Sequence, residues 1–146
     1  QAIAIEGRNR QRMDKCQAYW SLNGAVKENT RRMIPVCGNG DITSPEMALQ
    51  KRNEYGVDGV MIGRASIGYP WIFREIKHFF ATGEHLPPPT MAERLHAAER
   101  HLEMSVKWKG ERVGINEMRR HYTNYFKGIS NFKEHRIKLV TQDSYE

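Results

Sequence analysis

The chain has 146 residues, a formal net charge of +6, 39% hydrophobic and 27% charged residues. That is a globular composition, enough for one ordinary domain or one and a half small ones, and it excludes a disordered chain. No apolar run approaches the roughly 18 residues of a membrane span, no stretch reads as a signal peptide, and Cys16 and Cys37 give neither a disulfide framework nor a metal spacing.

Reduced thiols in the cytoplasm are the simplest reading of those cysteines. The basic excess admits a polyanionic partner such as RNA without requiring one. The chain has no initiator Met and opens inside an apolar run, so it reads as a piece of something longer.

Residues 2–5 (Ala-Ile-Ala-Ile) read as a short strand, ended by Glu6-Gly7-Arg8. Residues 18–28 are compatible with a helix that Gly24 weakens. Residues 34–37 (Ile-Pro-Val-Cys) read as a second strand, apolar on both faces as a buried parallel strand should be. It stops at Gly38-Asn39-Gly40-Asp41, and Ser44-Pro45-Glu46 opens a helix, with Ser44 as N-cap and Pro45 at the first position. That helix runs to Tyr55 and ends at Gly56. Residues 57–62 form a third strand, ended by Gly63-Arg64. Strand and helix alternating at this spacing predict βαβ units with parallel pairing.

The pattern then changes. Pro70-Trp71-Ile72-Phe73 begins a helix, with Trp71, Ile72 and Phe79 as candidates for burial. Pro87-Pro88-Pro89 cannot continue a helix and makes a stiff connector, so a domain boundary is expected there, between 1–86 and 87–146. Beyond it Leu95, Ala98, Leu102 and Val106 fall at helical spacing. Gly110 and Gly114 interrupt. Ile115, Met118, Tyr122 and Tyr125 form a second stripe, and Phe132, Leu139 and Val140 a third, enough for a small helical bundle. The fold class is therefore α/β followed by all-α.

All three expected strands end in glycine-bearing turns. Ligands of parallel α/β folds sit at the carboxyl ends of strands, and bare turns can aim N–H groups at one anion. Arg64 adds a guanidinium with fork geometry for phosphate. Two glycines in Gly38-Asn39-Gly40-Asp41 suggest that something approaches the backbone closely. They can equally be turn formers. Asn39 can orient a ligand ring or cap its own turn, and Asp41 can bind a ligand hydroxyl or precede the cap at Ser44. Cys37, inside an apolar strand, reads as a small core residue.

The stretches I-P-V-C-G-N-G-D-I-T-S-P-E and G-V-D-G-V-M-I-G-R-A-S-I-G-Y-P-W-I-F-R-E-I, with the later R-R-H-Y-T-N-Y-F-K-G, resemble the tRNA-dihydrouridine synthase family over nearly the whole chain. The resemblance implies the last three βα units of an FMN-binding (β/α)8 TIM barrel, then a helical tRNA-binding domain. It implies reduction of the C5=C6 bond of uridine in tRNA, with NADPH as reductant of FMN. FMN phosphate contacts then fall on Asn39, Gly40, Asp41, Gly63 and Arg64, with Arg8 near the flavin. The family's cysteine proton donor and flavin-contacting lysine lie on earlier strands, so no catalytic residue is expected in this chain. Glu6 stands where the family usually has His, and Asp14 and Cys16 where it commonly has Tyr and Gly.

The carboxyl-terminal third is crowded with cations. Arg119, Arg120, His121, Lys127, Lys133 and Arg136 are the candidate tRNA contacts, with Lys107, Lys109, Arg112 and Lys138 nearby. Tyr122, Tyr125 and Phe126 can stack on bases or fill a core, and core is the preferred reading. Two alternatives remain: an FMN barrel acting on a small molecule, and a non-catalytic RNA-binding fragment. Three parallel strands with an open edge also invite self-association.

Overall fold

The computed structural model describes residues 1–7, 18–29 and 34–144, so Arg8, Asp14 and Cys16 lie outside the described residues. The chain divides into two compact units, Gln1–Ser66 with Trp71–Leu86, and Ile67–Pro70 with Pro87–Glu146.

Among its described residues the first unit holds three strands, β1 (Ile3–Glu6), β2 (Val36–Asn39) and β3 (Gly59–Met61), and three α-helices, α1 (Ser21–Glu28), α2 (Pro45–Tyr55) and α3 (Ile72–Thr82). The sheet order is β1-β2-β3 and both pairings are parallel, as the alternation of apolar runs and helices predicts. In register, Glu6 lies opposite Asn39, and Asn39 opposite Met61. Val36, in the central strand, is fully buried, while Ile3 and Met61 on the outer strands are exposed.

Several boundaries differ from the sequence expectation: β1 spans Ile3–Glu6 rather than residues 2–5, β3 spans Gly59–Met61 rather than 57–62, and α3 begins at Ile72 rather than at Pro70. β2 begins at Val36 and runs through Gly38 and Asn39 rather than stopping before them. The ladder continues because Gly7 N–H donates to Asn39 O at 2.9 Å, one step beyond the last apolar residue. α1 begins at Ser21 rather than at residue 18. Ala18 N–H is held by an Asp41 carboxylate oxygen at 2.9 Å and Tyr19 N–H by Gly7 O at 2.6 Å, which keeps both residues out of the helix. α2 forms as expected. Ser44 Oγ accepts from Met47 N–H at 3.2 Å, and Gly56 closes the helix at φ 62°.

Trp20, Val36, Ile42, Ala48, Val57, Trp71, Ile72 and Ile76 form the apolar core of this unit. Asn23 of α1 is also completely buried, and neither amide atom has a hydrogen-bond partner among the described residues. A buried, unsatisfied carboxamide costs about 1–3 kcal/mol relative to an apolar side chain of the same shape. Asn23→Leu is therefore expected to raise the free energy of unfolding by about 1–2 kcal/mol. Urea denaturation reads this directly, and a lowered midpoint at unchanged slope would show that the amide is satisfied.

The second unit contains α4 (Met91–Lys109), α5 (Glu111–Tyr125) and α6 (Lys133–Thr141). Thr90 and Glu93 form a reciprocal capping box at the start of α4. Gly110 divides α4 from α5 as expected. Gly114 does not interrupt: it lies inside α5 and lets the helix backbone approach α4, where a Cβ would come within 2.7 Å of Val106 N. Ala98, Ile115, Met118, Tyr122, Tyr125 and Phe126 are buried, so the aromatic run is core. Leu95, expected in the first stripe, is 43% exposed, and α6 contributes no buried residue. Arg94 closes the end of α5, donating to Tyr125 O at 3.4 Å and Lys127 O at 3.1 Å. The Asn124 side-chain amide donates to Ile67 O at 2.8 Å and ties the segment Ile67–Pro70 into this unit. Among the described residues no helix is long and apolar enough to cross a membrane.

Candidate functional site

Parallel pairing puts the carboxyl ends of β1, β2 and β3 on one edge of the sheet. A cleft of about 270 Å³ lies there, walled by Glu6, by residues 39–43 and by Gly63-Arg64-Ala65. Five of the predicted cofactor residues, Asn39, Gly40, Asp41, Gly63 and Arg64, thus line one cavity, and Glu6 joins them.

The polar groups of the cleft are paired in a fixed way. Asn39 Nδ2 donates to Glu6 Oε2 at 2.6 Å, across the register pair that ends β1 and β2. Asp41 sits in the left-handed region at φ 53°, a strained conformation that aspartate tolerates better than most residues. One of its carboxylate oxygens accepts from Ala18 N–H, and the other accepts from an Arg64 terminal nitrogen at 2.8 Å. The Arg64 side chain remains 60% exposed against 30% for Asp41, so the carboxylate holds a guanidinium at the mouth of the cleft.

The two glycines around Asn39 have a different cause from the one the sequence suggested. A Cβ on Gly38 would stand 2.3 Å from Trp20 Cζ3, and a Cβ on Gly40 would stand 2.3 Å from Ala18 Cβ. Gly40 adopts φ 147°, and its carbonyl accepts from Trp20 Nε1 at 3.0 Å. What approaches the backbone closely is the chain's own Trp20 and Ala18. Sequence reasoning passed over both, because their contact with the turn is set by tertiary packing and leaves no local signal. Gly63 is the opposite case, since a Cβ there would meet nothing within 4 Å.

The candidate RNA-contacting residues separate into two groups. Lys127, Lys133 and Arg136 line one cleft of about 690 Å³ in the second unit, together with Asn124, Asn131 and Phe132 and with no carboxylate in the lining. Lys133 opens α6 and Arg136 follows in its first turn, so two cations sit at the positive end of the helix dipole, against their own electrostatic preference. Arg120 is exposed. Arg119 is engaged within the fold, donating to Asp143 at 2.6 Å and Gln142 O at 3.2 Å. His121 packs edge-on against His101 at 4.5 Å between ring centroids, and its Nδ1 is buried without a hydrogen-bond partner among the described residues. Burial, with His101 and Arg120 adding to it, pushes the His121 imidazole down to about 4, so it is neutral at pH 7 and brings no cation to a phosphate.

The family described as dihydrouridine synthase (Dus) matches residues 1–144. The chain is 41% identical over 139 residues to tRNA-dihydrouridine synthase B of Pseudomonas putida, covering 95% of this chain and 41% of that protein. It is 39% identical over 142 residues to probable tRNA-dihydrouridine synthase 1 of Synechocystis sp., covering 95% and 39%. It is 43% identical over 120 residues to tRNA-dihydrouridine synthase B of Shewanella oneidensis, covering 82% and 37%. The chain thus spans about two-fifths of the length of these relatives.

Proposed function

Because the chain belongs to the dihydrouridine synthase family, we propose that it is the carboxyl-terminal portion of an FMN-dependent, cytoplasmic enzyme that reduces the C5=C6 bond of uridine in tRNA with NADPH. In this reading the first unit supplies three βα units of a TIM barrel and the second supplies a helical tRNA-binding module. The exposed Ile3 and Met61 on the outer strands support the first point, since parallel sheets are ordinarily covered. Those uncovered edges would also make the chain alone prone to self-association.

The observation that carries the proposal is the cleft at the strand ends. Its Gly63-Arg64-Ala65 wall combines open backbone with an exposed guanidinium, a donor set that fits a phosphate monoester. Arg64 would hold the phosphate of FMN, and Asp41 would orient Arg64. FMN when bound supplies the hydride. This chain's residues bind and orient, and neither Cys16 nor Cys37 stands at the proton donor's place in the family pattern. Lys127, Lys133, Arg136 and Arg120 would neutralise tRNA phosphates, while Arg119 and His121, turned to internal partners, would support α5 beneath them.

One observation favours a second reading. The cleft holds two carboxylates, Glu6 and Asp41, against one guanidinium, which suits a chain that binds RNA without retaining flavin.

Replacing Lys127, Lys133 and Arg136 together by alanine tests the tRNA half. Removing one cation that neutralises a phosphate lowers the slope of log affinity against log salt by about 0.9 or less, so a fall of about 2 is expected for the three. An unchanged slope in a salt-dependent gel-shift or anisotropy titration would remove the cleft from the RNA interface. Binding of tRNA without any binding of FMN would select the second reading.

A further inference from the structure

The aromatic residues that lie among the cations in sequence, Tyr122, Tyr125 and Phe126, are buried and cannot meet a base. Trp108, which neither the apolar stripes nor the motifs include, is 80% exposed. It stands in the last turn of α4, between Lys107 and Lys109, with Arg112 across the break at Gly110. Met104, one turn earlier on the same face, is 51% exposed, and Val113 is 48% exposed.

The helix dipole accounts for lysines in this turn. It does not account for an indole left in water. Burial elsewhere in the fold is not its purpose, because Trp20 and Trp71 are 3% and 8% exposed and fill the core of the first unit. The flanking chemistry decides between partners. Cores of protein interfaces are depleted in lysine. Platforms for single-stranded nucleic acid pair a flat aromatic face with flanking cations that track the phosphates. Here Lys107, Lys109 and Arg112, its near neighbours in sequence, are all exposed. Of the nearby carboxylates, Glu117 is taken by Lys109.

We propose that Trp108 is a stacking platform for an unpaired nucleobase of RNA, with Lys107 and Arg112 contacting the adjoining phosphates. The proposal rests on the tRNA reading above and adds a grip on single-stranded segments that the cleft at Lys127 and Arg136 does not provide.

The chain reports on this stacking itself. Trp20 and Trp71 are buried, so a stacked base would quench the emission of Trp108 selectively. Titration of the intact protein with single-stranded oligouridylate is expected to quench tryptophan fluorescence, and Trp108→Ala to abolish the quench. Trp108→Ala should weaken oligouridylate binding by roughly 5- to 150-fold, the range expected for one base stacked on an aromatic ring. Trp108→Phe should recover most of that affinity, and binding of an RNA duplex should be unaffected by either variant. Equal oligouridylate binding by Trp108→Ala and the unaltered protein would overturn the platform while leaving the tRNA reading intact. Failure of the unaltered protein to bind tRNA at all would overturn both. Trp108-dependent self-association in sedimentation would overturn the platform in favour of a protein contact.

Discussion

Arg64→Ala is expected to weaken FMN binding by the intact protein about 30-fold, the consequence of losing roughly 2 kcal/mol of charge-assisted hydrogen bonding to the phosphate. Asp41 sets the position of this arginine. Its carboxylate is anchored by Ala18 N–H and holds the Arg64 guanidinium at 2.8 Å, so the arginine is oriented before any ligand arrives. A pre-placed fork loses less side-chain entropy on binding. Asp41 also subtracts something, because a nearby carboxylate repels a phosphate, and Glu6 in the same cleft repels it further. Asp41→Asn therefore removes a repulsion and an orienting interaction together, and its effect should be smaller than that of Arg64→Ala. Riboflavin, which lacks the phosphate, separates the roles. Its affinity should not change in Arg64→Ala, whose replaced side chain is exposed and contributes little to the fold. Equal losses for FMN and riboflavin, read by quenching of flavin fluorescence, would show that Arg64 shapes the turn rather than clamping phosphate.

The alternation of apolar runs with a capped helix made the parallel βαβ order legible, because both signals are local. Ser44, Pro45 and Gly56 announce α2 by chemistry that acts within a few residues. The convergence of Asn39, Asp41, Gly63 and Arg64 was legible for the same reason, since parallel strands bring their ends together. The partners those groups take were not legible. Nothing local in the sequence says that Asp41 will hold Ala18 and Arg64, or that Glu6 will accept from Asn39. In the second unit the periodicity gave the buried face of α5. It did not say that Arg119 would pair with Asp143, or that the aromatic left in water would be Trp108. Charge in a sequence marks a surface, while the pairing of each charge depends on packing between distant elements.

The glycines of Gly38-Asn39-Gly40 show this most directly, and Gly38→Ala is expected to destabilise the protein by about 3 kcal/mol, the upper part of the range for overpacking a core. The added Cβ would lie 2.3 Å from Trp20 Cζ3 and 2.9 Å from Cη2, a clash with the rigid ring rather than with a flexible chain end. Trp20 has no easy retreat. It is 3% exposed, packs against Tyr55 at 5.8 Å between ring centroids, and donates to Gly40 O. Moving the indole breaks that hydrogen bond and disturbs the turn that carries Asp41. Gly38→Ala should therefore weaken FMN binding as well as stability, although no atom of Gly38 lines the cleft. Trp20→Leu, which removes the ring, is destabilising alone through the burial it forfeits. Combined with Gly38→Ala it should cost less than the sum of the two, because the Cβ then enters space the indole has left. Urea denaturation of the four proteins in the cycle measures this coupling. Additive losses would mean that the two positions do not meet, and that Gly38 is required for the conformation of the strand end itself.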